Sequence, residues 1–246
     1  MEKTGNPVSK TRSLTHVLPG DPPVEVALRR SARATRYSLR VSRADGRVSL
    51  SLPVWASEAE ALDFLRARED WVRHHLAAAP LPAQARIGAD VPVCGVPRPV
   101  VAGAGRAARF ADGVISVPPG PREGPRIKAL LTALARERLT RSVATHAAAL
   151  GRAHGQITLR DPKSRWGSCS SRGDLMFSWR LIMAPPAVLD YVAAHEVAHL
   201  VEMNHSEAFW RVCARLRPDF REHRDWLKRN GAELQALRFD LADECR

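Results

Sequence analysis

Apolar and polar residues alternate first in Val24-Glu-Val-Ala-Leu28, then in Tyr37-Ser-Leu-Arg-Val41 and Arg47-Val-Ser-Leu-Ser-Leu52. A period of two predicts strands with one buried face. Asp45-Gly46 reads as the turn between the last two, giving a hairpin or meander whose arginines line the wet side. Ser57 with Glu60 three residues on is a capping box, and Leu62, Phe64, Leu65, Trp71, Val72 and Leu76 supply the apolar positions of the helix it opens. Residues 1–22 are polar and aperiodic and read as a mobile tail. From Pro82 to Gly120, short β segments such as Val91–Val96 and Gly113–Val117 alternate with Gly and Pro and are expected to extend the same sheet. Pro118-Pro-Gly-Pro121 reads as a linker.

The period then lengthens. Ile127, Leu130, Leu131, Leu134, Leu139 and Val143 predict a long helix from about Pro125 to Leu150, ended by Gly151. Strands are expected at Gln156–Arg160 and Leu175–Met183. Pro185-Pro186 separates the second from an apolar helix. Ser206 caps a helix through Phe209, Trp210, Val212, Cys213 and Leu216, and a last helix spans roughly Pro218–Asn230, ended near Gly231. No internal repeats occur.

The chemistry concentrates in Leu189–His205. His195 and His199 are four residues apart, so on a helix they lie about 40° from one another and project from one stripe. Two neutral imidazoles so placed suit two corners of a zinc tetrahedron. Glu196 beside them is in position to act as general base on a water activated by the metal. His205, six residues on, allows the helix to end and the chain to return a third imidazole. Three ligands leave one coordination position open, as in a catalytic zinc site. Tyr191, Val192, Ala193, Ala194, Val197, Ala198, Leu200 and Val201 make this helix apolar nearly all round. A buried helix does not carry His, Glu and His unless something satisfies them.

Composition adjusts this picture in two respects. The net charge is +12, from 38 basic and 26 acidic residues, and residues 1–50 hold ten Lys or Arg against four acidic ones. Such a surface attracts nucleotides, nucleic acid or acidic proteins, although no stacking motif, zinc finger or recognition-helix signature accompanies it. Cys94, Cys169, Cys213 and Cys245 lack C-x-x-C spacing and read as free thiols of a reducing compartment. With no apolar run of about 18 residues and no signal-peptide core in the first 25 residues, no membrane partner is expected and the cytoplasm is the expected location.

Between the two later strands lies Asp161-Pro-Lys-Ser-Arg-Trp-Gly-Ser-Cys-Ser-Ser-Arg-Gly173. It is either a donor-rich loop at a cleft, where Arg165 or backbone N–H groups hold a substrate oxyanion, or a solvated hairpin around a buried Trp166. Lys163 and Asn204 are further substrate candidates. The series Lys163-Ser-Arg-Trp-Gly-Ser-Cys-Ser170, Phe177-Ser-Trp-Arg-Leu181, Tyr191-Val-Ala-Ala-His-Glu-Val-Ala-His199 and Asn204-His-Ser-Glu-Ala-Phe-Trp210 resembles the YgjP-like metallopeptidases, relatives of the SprT and WLM zinc peptidases. The resemblance runs from about Val24 to Leu237. It implies a zincin-like core in which His195, His199 and His205 bind zinc, Glu196 is the catalytic base and the Ser-Arg-Trp-Gly-Ser-Cys loop packs beside the site.

For the third ligand His205 ranks first, then Glu222, then Glu202. Glu202 stands where the extended H-E-x-x-H-x-x-G-x-x-H pattern has glycine, so Met203-Asn204 is expected to make the reversal, using the tolerance of Asn for left-handed backbone. His74, His75, His146, His154 and His223 lack partners at ligand spacing.

The expected architecture is α+β: a tail (1–22), a small basic β-rich region with one helix (23–120), and a zincin-like, mainly helical catalytic domain (121–246). The expected function is zinc-dependent hydrolysis of a peptide or protein substrate, with the strand Leu175–Met183 offering its edge to an extended peptide. Two alternatives are a metal-dependent nucleoside triphosphate pyrophosphatase using Lys163, Arg165 and Arg172, and a basic nucleic-acid-associated metal-binding module. The oligomeric state is left open.

Overall fold

A computed structural model describes residues 13–42, 46–77 and 83–240 of the chain, which divides into two compact units, 1–81 and 82–246. The expected positions 1–12, Asp45 and Cys245 lie outside the described residues.

In the first unit a four-stranded sheet has the order β1-β2-β4-β3: β1 Ser13–Leu18, β2 Val24–Ser31, β3 Ser38–Val41 and β4 Val48–Pro53. β2 and β4 run parallel and the outer pairs antiparallel, so the sheet is not a meander. Val24, Val26 and Leu28 alternate inward with Val48, Leu50 and Leu52, while Arg29 and Arg40 face water. Residues 13–18 form an edge strand where a tail is expected. Among the described side chains of β1 only Leu18 is buried, and Leu14 and Val17 are half-exposed, so the segment carries little apolar signal of its own. The capping box forms as read, with Ser57 accepting from the Glu60 N–H and Glu60 from the Ser57 N–H. The expected single helix is two, α1 Glu58–Arg66 and α2 Glu69–Ala77, the second opening on the acidic pair Glu69 and Asp70 that suits a helix N-terminus.

The second unit begins with a separate sheet, β5-β6-β8-β7: β5 Asp90–Val93, β6 Val96–Ala102, β7 Arg109–Ala111 and β8 Val114–Val117. These strands neither extend the first sheet nor belong with the N-terminal region, as the division at 120/121 has it. Val91, Val93, Val100, Ile115 and Val117 bury in one core with Ile127 and Leu131 of the long helix α3, Glu123–Leu150. α3 ends on Gly151 in the left-handed conformation. A second sheet follows in the order β10-β11-β9: β9 Ile157–Arg160, β10 Gly167–Cys169 and β11 Leu175–Ser178.

The apolar run Leu175–Met183 is a strand for four residues only. At Ser178, whose side chain accepts from the Arg180 N–H, it turns into a 3₁₀ segment, Trp179–Met183. The turn carries the Arg180 guanidinium inward, where it pairs with both carboxylate oxygens of Asp161 (2.6 and 3.1 Å) and donates to the Leu234 and Leu237 carbonyls. A buried cation requires such partners, and a continued strand would not supply them.

Three helices complete the unit: α4 Pro186–Ala198, with Pro186 in its first turn, α5 Glu207–Leu216 and α6 Phe220–Ala236. α6 does not stop near Gly231 but runs on to Ala236. A Cβ at Gly231 would stand 2.9 Å from the Trp166 ring, so this glycine marks a close approach, not a helix end. Cys94, Cys169 and Cys213 are free. No helix among the described residues is long and apolar enough to cross a membrane.

Candidate metal centre

α4 is buried on almost every side, so its polar side chains must find partners inside the protein. His195 lies in its last turn, and His199 is its C-terminal cap, still in right-handed helical geometry. The chain turns at once, with Leu200, Val201 and Glu202 donating back to the Val197 and Ala198 carbonyls. Neither Met203 nor Asn204 uses the left-handed conformation expected of this reversal, because the turn begins earlier, at His199. His205 follows immediately before α5, which is capped by the Ser206 hydroxyl accepting from Phe209 N–H.

This path brings three imidazoles together. One nitrogen from each of His195, His199 and His205 lies within 4.8 Å of the others, and His195 Nε2 and His205 Nε2 are 3.0 Å apart. Two nitrogens at roughly 2.0–2.1 Å from one tetrahedral ion stand about 3.4 Å apart, so the trio fits a metal with little movement. Among the described residues it is the sole group of three or more His, Cys, Asp or Glu so arranged. Phe209, fully buried, lies under all three rings at centroid distances of 4.9, 4.4 and 4.7 Å. His199 Nδ1 donates to the Glu202 carbonyl (3.0 Å), which leaves the Nε2 lone pair for a ligand. His195 Nδ1 is buried without a hydrogen-bond partner among the described residues. Packing against Tyr191, Phe209 and Trp210 orients that ring instead.

Burial, then the charges of His199, His205 and Arg224, push the His195 imidazole down to about 3. Burial also lowers His199, against the opposing hydrogen bond to Glu202. Both are therefore neutral, the form that binds metal. Burial pushes the Glu196 carboxyl up to about 8, with the Arg165 charge working in the opposite sense. A carboxyl so raised is suited to proton exchange near neutral pH.

A cleft of about 230 Å³ lies over the trio, with Gly167, Ser168 and Cys169 of β10 as one wall, Glu196 at its side and Met203 on the rim. Gly167 has a local reason to be glycine: a Cβ there would meet the Glu196 side chain, with Cγ at 2.6 Å. The Ser-Arg-Trp-Gly-Ser-Cys loop thus packs against the carboxylate. Arg165 is exposed, near enough for Glu196 to feel its charge. Lys163 and Asn204 are exposed and do not line the cleft. Of the rival ligands, Glu202 contributes its carbonyl and Glu222 is exposed on α6. Neither joins the cluster. His146 and His223 have other roles, bonded to Asp190 and Asp219. Reading the sequence alone missed Arg180 as the tether of the loop through Asp161. Its signal was a lone arginine inside an apolar run.

The model of the YgjP-like metallopeptidase domain matches residues 35–230. The chain belongs to the YgjP-like metallopeptidase family. Membership implies a hydrolase acting on peptide or protein and a divalent metal, with which the histidine cluster is compatible. No curated protein is matched by the sequence. Among solved structures, the crystal structure of the metallopeptidase zymogen of Pyrococcus abyssi abylysin is 20% identical, over 37% of this chain and 93% of that one. Its TM-score of 0.35 is too low to bear on fold or site.

Proposed function

We propose that this metallopeptidase is a zinc enzyme in which His195, His199 and His205 hold the metal and Glu196 moves the proton. The observation that carries the reading is the convergence of three ligand nitrogens within 4.8 Å beside a buried carboxyl in one cleft. Three imidazoles favour zinc over Mg²⁺ or Ca²⁺, which take oxygen ligands. When bound, zinc supplies Lewis acidity, lowering the pKa of water toward about 7 and polarising the scissile carbonyl. Glu196 accepts the proton of the attacking water and delivers it to the departing amine nitrogen.

The substrate backbone needs an edge to pair with. β11 lies between β10 and β9 and has none to offer, so the edge expected of Leu175–Met183 belongs to β10. β10 is an outer strand and forms the cleft wall, which suits an extended peptide laid along Gly167–Cys169. Lys163 and Arg172 stand exposed outside the cleft, so the triphosphate reading lacks its cradle.

Metal analysis and a casein-type assay on wild type and Glu196→Gln test the proposal. Wild type should hold one zinc per chain and cleave. Glu196→Gln should keep the zinc and lose turnover by about 10²–10⁴-fold. An active Glu196→Gln protein, or a wild type without stoichiometric metal, removes these roles.

A further inference from the structure

Beside the metal centre, on the far side of Trp210, lies a second cleft of about 370 Å³ between α5 and α6. Trp210 belongs to both places. Its ring is 5.8 Å from that of His195 and 5.7 Å from that of His205, and it also lines the second cleft, stacked on Phe220 at 5.2 Å. Arg224 lays its guanidinium over Trp210 at 4.9 Å, and Arg221 lays its own over Phe220 at 5.8 Å. The remaining charges there cancel, because Lys228 bonds Asp225 at 2.7 Å. Neither Arg221 nor Arg224 has a carboxylate ion-pair partner among the described residues. Two planar guanidiniums thus stand without an ion pair of their own, Arg224 within the field of an Asp225 already engaged by Lys228, each backed by an aromatic face, one ring away from the proposed zinc ligands.

We infer that this cleft is a substrate subsite for a carboxylate, so that the enzyme prefers peptides carrying an acidic side chain or a free C-terminus near the scissile bond. The inference rests on the peptidase reading above. Guanidinium is the group that takes a carboxylate by two parallel N–H···O bonds. The cation–π contacts with Trp210 and, at longer range, Phe220 hold the two guanidiniums near the cleft, which lowers the ordering required when a substrate arrives. A free carboxylate also suits the place electrostatically, since it offsets cationic charge next to a site for a dication.

The test uses the full chain, zinc-loaded, as Glu196→Gln for binding and as otherwise wild-type enzyme for cleavage. The probes are an uncharged amidated peptide, the same peptide with one Glu moved along it, and the same peptide with a free C-terminal carboxylate. At least one carboxylate peptide should bind about tenfold tighter than the uncharged one at low salt. The preference should fall to about one in R221Q/R224Q, and Arg224→Glu should shift it toward a Lys-bearing peptide, which a merely structural arginine would not do. The position of the effective Glu, or its replacement by the free terminus, tells the two carboxylate sources apart. Equal binding of all probes, or a preference that survives both sets of substitutions, overturns the subsite even if the wild type cleaves every peptide. Tighter capture of an oligonucleotide, lost on the same substitutions, overturns it too. A preference without any cleavage by the wild type overturns the peptidase reading and leaves the subsite in place.

Discussion

α3 and α4 are neighbours in one core and solve opposite problems. α3 buries one side, with Ile127, Leu131, Ala135, Leu139 and Val143 at four-residue steps and His146 and Ala147 near its end, and turns Arg136, Glu137, Arg138 and Arg141 to water. α4 buries Val188, Leu189, Tyr191, Val192, Ala193, Ala194, Val197 and Ala198 round most of its circumference. Apart from Ser142 and the buried His146, the polar side chains of α3 make few demands on the fold, whereas those of α4 must be satisfied within it. Asp190 shows how this is done: it accepts from Ser142 (2.5 Å) and His146 (3.0 Å) of α3 and pairs with Arg217 (3.1 Å) before α6. The difference leaves α3 mainly to stability and gives α4 the residues of the proposed chemistry.

The sharpest way to break this division is to damage α3. Leu131→Ala removes a fully buried side chain and should lower unfolding free energy by about 3 kcal/mol, read by denaturant titration. Turnover per folded molecule should stay within twofold, about the scatter expected of an unaffected site. A large loss of kcat in the folded protein would mean that α3 shapes the site. Gly167→Ala makes the opposite test. The added methyl pushes on the Glu196 side chain, so turnover should fall about 10²-fold while the melting temperature and bound zinc are retained. Unchanged turnover would show that Glu196 has room to spare.

The smallest effect concerns the join between the helices. Burial raises the Asp190 carboxyl, but hydrogen bonds from His146 and Ser142 and the charges of His146 and Arg217 bring it net below its ordinary value. A carboxyl depressed in the fold contributes stability that is fully present above its unfolded value of about 3.9 and is lost as pH falls through its folded value. Denaturation midpoints should therefore drop on acidification below about pH 4, and less steeply in Asp190→Asn. Identical acid limbs would place the loss elsewhere.

The helices and the candidate site were legible because their signals are local. His195, Glu196 and His199 share one turn of helix, and the Ser57–Glu60 cap spans four residues. What sequence reading missed depends on distant partners. Leu175–Met183 is apolar enough to read as one strand, and only the pairing of Arg180 with Asp161 and the Leu234 and Leu237 carbonyls explains why it bends. Gly231 reads as a stop until Trp166 is placed on top of it. β1 exposes most of its apolar side chains and becomes a strand only by pairing with β2.

Phe209 carries one last implication. Since a single benzene ring packs against all three proposed ligands, the hydrophobic interior contributes to their convergence. In the zinc reading, metal affinity is then tied to core packing around Phe209 as well as to the ligands themselves.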